Sequence, residues 1–154
     1  MYDADKLKFK LKLGLSLIFP EDIQKWAIEQ LADDSNNLLA LEICFLSNEQ
    51  QVLDYFLNIH VEHLSIALDL KNKIYYEILV DYAETQPTSE YSKDIILCKF
   101  MTLFEISKYI ENEGFADFID YYDDEFYLSS EGFSQLEPHE VWSKFLYELK
   151  NRFI

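Results

Sequence analysis

Ser92-Lys-Asp-Ile-Ile-Leu-Cys-Lys-Phe-Met-Thr-Leu-Phe-Glu-Ile-Ser-Lys-Tyr-Ile110 decides the fold class. Lys99, Thr102 and Glu105 interrupt an otherwise apolar run at helical rather than alternating intervals, so the spacing predicts a long helix with most of its surface in the core. Other segments carry the same period. Pro20 with Glu21 and Asp22 opens a helix whose apolar face is Ile23, Trp26, Ala27 and Leu31, since proline suits a first helical position and acids suit the positive end of the helix dipole. Leu38 to Leu46 is apolar almost all round and is expected to be central. Ser47-Asn48 before Glu49-Gln50-Gln51 reads as a cap and the start of a helix running to about Ile59, and Ile74 to Ala83 forms another. Thr85-Gln86-Pro87-Thr88-Ser89 is the clearest break. Gly114 is placed to cap the end of the 92–110 helix. Ser129 to Glu137 reads as a loop, and Pro138 opens a last helix with Val141, Trp142, Phe145, Leu146 and Leu149 on one face. Leu64 to Leu70 is ambiguous between short helix and strand.

The expected fold is therefore all-α: a single domain over residues 1–154, built as a multi-helix bundle or a short helical stack. One segment stands apart. Lys6, Lys8, Lys10 and Lys12 alternate with Leu7, Phe9, Leu11 and Leu13, a period-2 pattern that predicts an edge strand or an extended basic arm within residues 1–14.

Composition narrows the class. The chain has 154 residues, 29 of them Asp or Glu and 13 Lys or Arg, giving a formal net charge of -16. Apolar residues make up 49% and aromatic ones 16%, too many for a disordered chain. Three glycines and three prolines are few for the tight turns of a sandwich or barrel. No uncharged apolar run approaches the ~20 residues that span a bilayer, so no membrane partner is expected. Direct nucleic-acid binding is disfavoured by the sign of the charge. The basic and apolar N-terminal stretch is cut by Pro20 and lacks a small-residue cleavage site. Cys44 and Cys98 fall in apolar helical stretches and read as reduced core thiols. The expected compartment is the cytoplasm.

Catalytic signatures are missing from the sequence. His60 and His63 form an H-x-x-H pair, but neither H-E-x-x-H nor H-x-x-E-H occurs. His139 has Leu136 three residues before it, so a Glu-x-x-His metal pattern is absent as well. The acidic stretch Asp120 to Glu131 has Glu125 where a calcium loop needs glycine. No phosphate-binding glycine loop, G-x-S-x-G or C-x-x-C exists. No enzymatic activity, metal or cofactor is expected.

The charge is unevenly placed. Glu105 to Glu140 contains eleven acids and one base, Lys108. The same region holds Phe115, Phe118, Tyr121, Tyr122, Phe126, Tyr127 and Phe133. Tyrosine supplies contact area and carboxylates steer a cationic partner. Asp117, Asp120, Tyr121, Tyr122, Asp123, Asp124, Glu125, Tyr127 and Glu131 are therefore the candidate partner-binding residues. The competing expectation is an ordinary acidic helix whose aromatics all point inward.

Leu11-Lys-Leu-Gly-Leu-Ser-Leu-Ile-Phe-Pro-Glu-Asp-Ile-Gln-Lys-Trp-Ala27 resembles the opening of small bacterial proteins encoded beside polymorphic or contact-dependent growth inhibition toxins. There an apolar "LGL" segment, here Leu13-Gly14-Leu15, runs into a helix with an E-x-I-x-x-W-A pattern, here Glu21 or Asp22, Ile23, Trp26 and Ala27. The family pattern often continues with Asp, where this chain has Ile28. The resemblance implies an immunity protein that covers the active site or substrate groove of one cognate toxin, and it carries over no functional residue. The alternatives are a nucleic-acid mimic or adaptor without a toxin partner, and a metal-dependent hydrolase using His60 and His63.

Overall fold

The computed structural model describes residues 2–85 and 93–153, and these form eight α-helices with no strand among them. They fall into two compact units, Met1–Ala67 and Leu68–Ile154, where the sequence had suggested one domain. No described helix is long and apolar enough to cross a membrane. The break expected over Thr85–Ser89 lies, beyond Thr85, outside the described residues, as does Ser92.

The first unit contains α1 (Asp3–Gly14), α2 (Pro20–Asp33), α3 (Leu38–Cys44), α4 (Glu49–Leu57) and a 3-10 turn at Val61–His63. The alternating N-terminal segment is helix α1, which corrects the strand or arm. Lys and Leu are good helix formers and the run has no β-branched residue. Asp3 and Asp5 in the first turn and Lys12 in the last complement the dipole. The lysines are half-buried, lying with their aliphatic stems along the surface, and Lys10 Nζ donates to the Leu57 carbonyl at 2.9 Å. Phe9 meets Trp26 of α2 and Phe56 of α4 edge to face, at 4.8 and 5.4 Å between ring centres. Leu13, Ile23, Ala27, Leu39, Ala40, Ile43, Val52 and Phe56 complete that core.

Capping follows the sequence closely here. Asp22 accepts the Phe19 N–H, Asn37 the Ala40 N–H and Asn48 the Gln51 N–H. Helix α3 is less central than its composition suggests. Leu39, Ala40 and Ile43 are buried, but Leu38 is exposed and Phe45, just past the helix, is 82% exposed. Both cysteines are also exposed, which corrects the core-thiol expectation: Cys44 and Cys98 point away from the buried side of their helices.

The second unit packs α5 (Leu68–Glu84), α6 (Lys93–Ser107), α7 (Glu113–Ser130) and α8 (Pro138–Phe153). The ambiguous Leu64–Leu70 stretch resolves at Leu68 into the start of α5. The quoted stretch supplies α6, with Ile96, Phe100 and Leu103 buried. Lys99 is buried with them. Its ammonium lies 5.3 Å from the Tyr82 ring and 5.6 Å from Trp142, and desolvation lowers its pKa. Asn72 of α5 pairs through both ends of its amide with the backbone of Glu111, at 3.2 Å each, and so fixes the entry to α7.

Gly114 lies in the first turn of α7 and does not end α6. The glycine that ends a helix is Gly132, with φ of 77°. There the Phe133 N–H reaches the Leu128 carbonyl at 2.9 Å, closing α7 in a left-handed cap. Helix α7 thus continues to Ser130, into the segment expected as a loop.

Two stability outcomes follow from this packing. After α1, Ser16 occupies the left-handed position, with φ of 57°, in the same cap geometry, with Leu17 N–H on the Lys12 carbonyl at 2.8 Å. Ser16→Gly should raise the unfolding free energy by about 1 kcal/mol by removing that steric cost. In the second unit, Phe145 is buried against Phe100, Phe118, Tyr122 and Trp142, with ring centres 5.1 to 5.7 Å away. Phe145→Ala should cost about 3–5 kcal/mol. Urea titrations of each variant beside the parent check both values.

Candidate protein-binding surface on helix α7

Helix α7 has two faces of different chemistry. Phe115, Phe118, Ile119, Tyr122, Phe126 and Ser129 are buried. The Asn112 side chain accepts the Phe115 N–H at 3.0 Å and sets the helix start, so this register is fixed from the first turn. Opposite them, Asp117, Asp120, Tyr121, Asp124, Tyr127, Leu128 and Glu131 are exposed. Their three- and four-residue spacing makes a single stripe, about 21 Å long at 1.5 Å per residue.

Of the nine residues singled out from sequence, the stripe gathers six: Asp117, Asp120, Tyr121, Asp124, Tyr127 and Glu131. Tyr121 is 47% and Tyr127 61% exposed. Tyr122 is not on the surface. It is fully buried, because one residue on from Tyr121 the helix has turned by about 100°. Its hydroxyl donates to Glu148 Oε2 of α8 at 2.7 Å, and desolvation, followed by that carboxylate, pushes the phenol pKa well up. Asp123 and Glu125 flank the stripe and are half-buried. Partial desolvation, then the neighbouring Asp124 and Asp120 charges, raise the Asp123 pKa. The inward-aromatic expectation thus holds for Phe115, Phe118, Tyr122 and Phe126, while Asp117, Asp120, Tyr121, Asp124, Tyr127 and Glu131 face solvent.

Sequence reasoning missed the contribution of α8. Lys144 Nζ lies 5.9 Å from the Tyr121 ring centre. The guanidinium of Arg152 stands 5.2 Å from the Phe118 ring and 5.3 Å from Phe153. An open groove of about 430 Å³ runs between the two helices, lined by Gly114, Asp117, Phe118, Tyr121, Glu148 and Arg152. The signal was present as the pairing of an acid-rich helix with a C-terminal helix holding Lys144, Lys150 and Arg152, but only tertiary packing brings the two together. The ion pairs among the described residues use Glu62, Glu84, Glu105 and Glu140; none of them engages an acid of the stripe.

The other candidates do not converge. The His60 and His63 rings lie 5.2 Å apart on an exposed turn, with Glu62 3.6 Å from His60. Among the described residues no group of three or more His, Cys, Asp or Glu is placed to hold a metal ion. Asp120 to Ser130 is continuous helix, so it cannot wrap a calcium ion as a loop does. No family model matches the chain, and neither a curated protein nor a solved structure matches it.

The raised Asp123 pKa has a definite sign. A carboxyl whose folded pKa lies above its unfolded value contributes stability below the unfolded pKa and loses that contribution as pH rises through the folded one. Asp123→Asn should therefore raise the thermal midpoint at pH 7, and the gain should vanish as pH falls below the ordinary carboxylate range. Calorimetric melts across pH 3 to 7 read this directly.

Proposed function

We propose that this chain is an immunity protein that binds a basic, nuclease-type toxin and neutralises it by covering its active site or substrate groove. The observation that carries this reading is the outward stripe of Asp117, Asp120, Tyr121, Asp124, Tyr127 and Glu131. A groove that binds a nucleic-acid backbone is lined with Lys and Arg. A rigid row of carboxylates offers such a groove the charge it is built to receive. The exposed tyrosines add contact area at low cost in side-chain entropy. The net charge of -16 supports fast, steered association with a cationic partner. The resemblance of residues 11–27 to immunity proteins points the same way.

The test begins with the tagged chain as bait in the source cell and identification of what co-purifies. The expected partner is one basic polypeptide from an adjacent gene whose expression arrests growth and whose toxicity this chain relieves. If the purified chain fails to bind the neighbouring toxin at low and moderate salt, the proposal is lost. With the partner in hand, the double variant D120K/D124K should slow association roughly tenfold or more at low salt, with little change in the unfolding midpoint. Stopped-flow mixing at several salt concentrations measures the rate; an unchanged rate would remove the stripe from the interface.

A further inference from the structure

We propose that the solvent face of α3 is a docking ridge for a short, basic amphipathic helix of a partner protein, with Leu38, Leu41 and Phe45 as its apolar contacts. The ridge lies in the first unit and does not depend on the α7 stripe. Leu38 is 62% and Phe45 82% exposed, and Leu41 between them is half-buried. Phe45 keeps helical backbone angles, with φ of -80° and ψ of -10°. The three residues therefore stand at i, i+3 and i+7 and form one line, about 10 Å long at 1.5 Å per residue. They point away from Leu39, Ala40 and Ile43, which hold the helix on its core. Ile28, 65% exposed, adds apolar surface on α2, the helix that packs against α3.

A single exposed apolar residue is ordinary; an apolar line on the outer face of a helix whose inner face is already filled is a contact surface left open. Its spacing is the one by which helices seat against each other. The ridge is convex and two turns long, so it matches two turns of a second helix and gives a small ligand nothing to enter. The surrounding charge selects the sign of that helix. From Pro20 to Leu57, which spans α2, α3 and α4, there are eight acids and one base, Lys25. Asp33 and Asp34 are exposed in the turn that leads into α3, and Glu42 is exposed on α3 between Leu38 and Phe45. None of these acids joins an ion pair among the described residues. The crowding is felt within the unit: a hydrogen bond to Glu49, and then the Glu49 charge, raise the Glu21 pKa. A second copy of the chain would set acids against acids. A helix whose apolar stripe is flanked by Lys or Arg covers the ridge and relieves the repulsion at once.

The experiment uses the whole chain, labelled with nitrogen-15 and titrated with a synthetic leucine–lysine helix of about five turns, its leucines at heptad a and d positions. The controls are a scramble of the same composition and a leucine–glutamate analogue. The leucine–lysine helix should give saturable amide shifts centred on Leu38, Leu41 and Phe45. The scramble, which has no continuous apolar stripe, should bind roughly tenfold more weakly, and the glutamate analogue should not saturate. L38S and F45S change exposed side chains and should leave the fold intact. Each should weaken the leucine–lysine helix roughly tenfold, as loss of a buried apolar contact does. E42Q should weaken it a few-fold at low salt, and that difference should fade at high salt. Equal binding of the scramble, indifference to both L38S and F45S, or shifts that fall on the α7 acids instead would overturn the ridge. Sedimentation equilibrium of the chain alone should show no self-association that F45S disperses; a dimer lost in F45S would give the face to a second copy and also overturn the proposal. Neither measurement contains a toxin, so the ridge and the immunity reading fail separately.

Discussion

The packing of Phe145 against helix α7 is the contact on which the rest of the second unit depends. Phe118, Tyr122 and Phe126 reach it from α7, Phe100 from α6 and Trp142 from its own helix, all with ring centres within 6.2 Å. The rings meet edge-on or tilted except for the stacked Phe118, and edge-on contacts suit aromatic quadrupoles. A helix held this firmly on one side cannot rotate about its axis. Its opposite face is therefore as fixed as its core, and the carboxylates of Asp117, Asp120 and Asp124 stand in set positions along it. The aromatic core and the acidic surface are two consequences of one register.

A chain with 29 acids has to dispose of charge as well as bury rings, and it does so in two ways. Some carboxylates are drawn onto neighbouring helices by phenols. Tyr55 donates to Glu42 in the first unit and Tyr122 to Glu148 in the second, and in each case burial and the facing carboxylate push the phenol pKa upward. The phenol stays a donor at every physiological pH, so these bonds tie helices without needing a base, which the composition supplies sparingly. Others are left to water. The stripe on α7 belongs to the second kind, and its mutual repulsion is what raises the Asp123 pKa beyond the effect of burial alone.

Much of the fold was legible because helices announce themselves by period and by caps. Residues 92–110 read as helix from the spacing of their polar interruptions, and Pro20, Ser47-Asn48 and Pro138 marked true starts. Where the reading failed, a local pattern had two physical solutions. Lys and Leu at period 2 suit a strand, but with no β-branched residue they suit a helix as well, and the partner surface of Phe56 and Trp26 decides between them. Gly114 looked able to stop a helix, but it is Gly132, inside the expected loop, that carries the positive φ that makes glycine necessary. The site was half legible. Composition pointed to the helix that carries the exposed stripe, yet composition treats Tyr121 and Tyr122 alike, and only the helix bounds part them. The groove was not legible, because Glu148 and Arg152 lie far from Asp117 in sequence.

A surface that serves only solubility needs charge and nothing more. Aspartate serves that end well, and tyrosine serves it less well than any charged residue. The α7 stripe departs from that economy. It keeps Tyr121 and Tyr127 in water between aspartates while four other aromatics of the same helix are buried. Single exposed aromatics are ordinary on a protein surface; two of them, interleaved on a rigid helix with carboxylates that join no ion pair among the described residues, combine the area of an anchor with the field of a steering patch. The neighbouring groove adds a concave element beside an otherwise convex helix face.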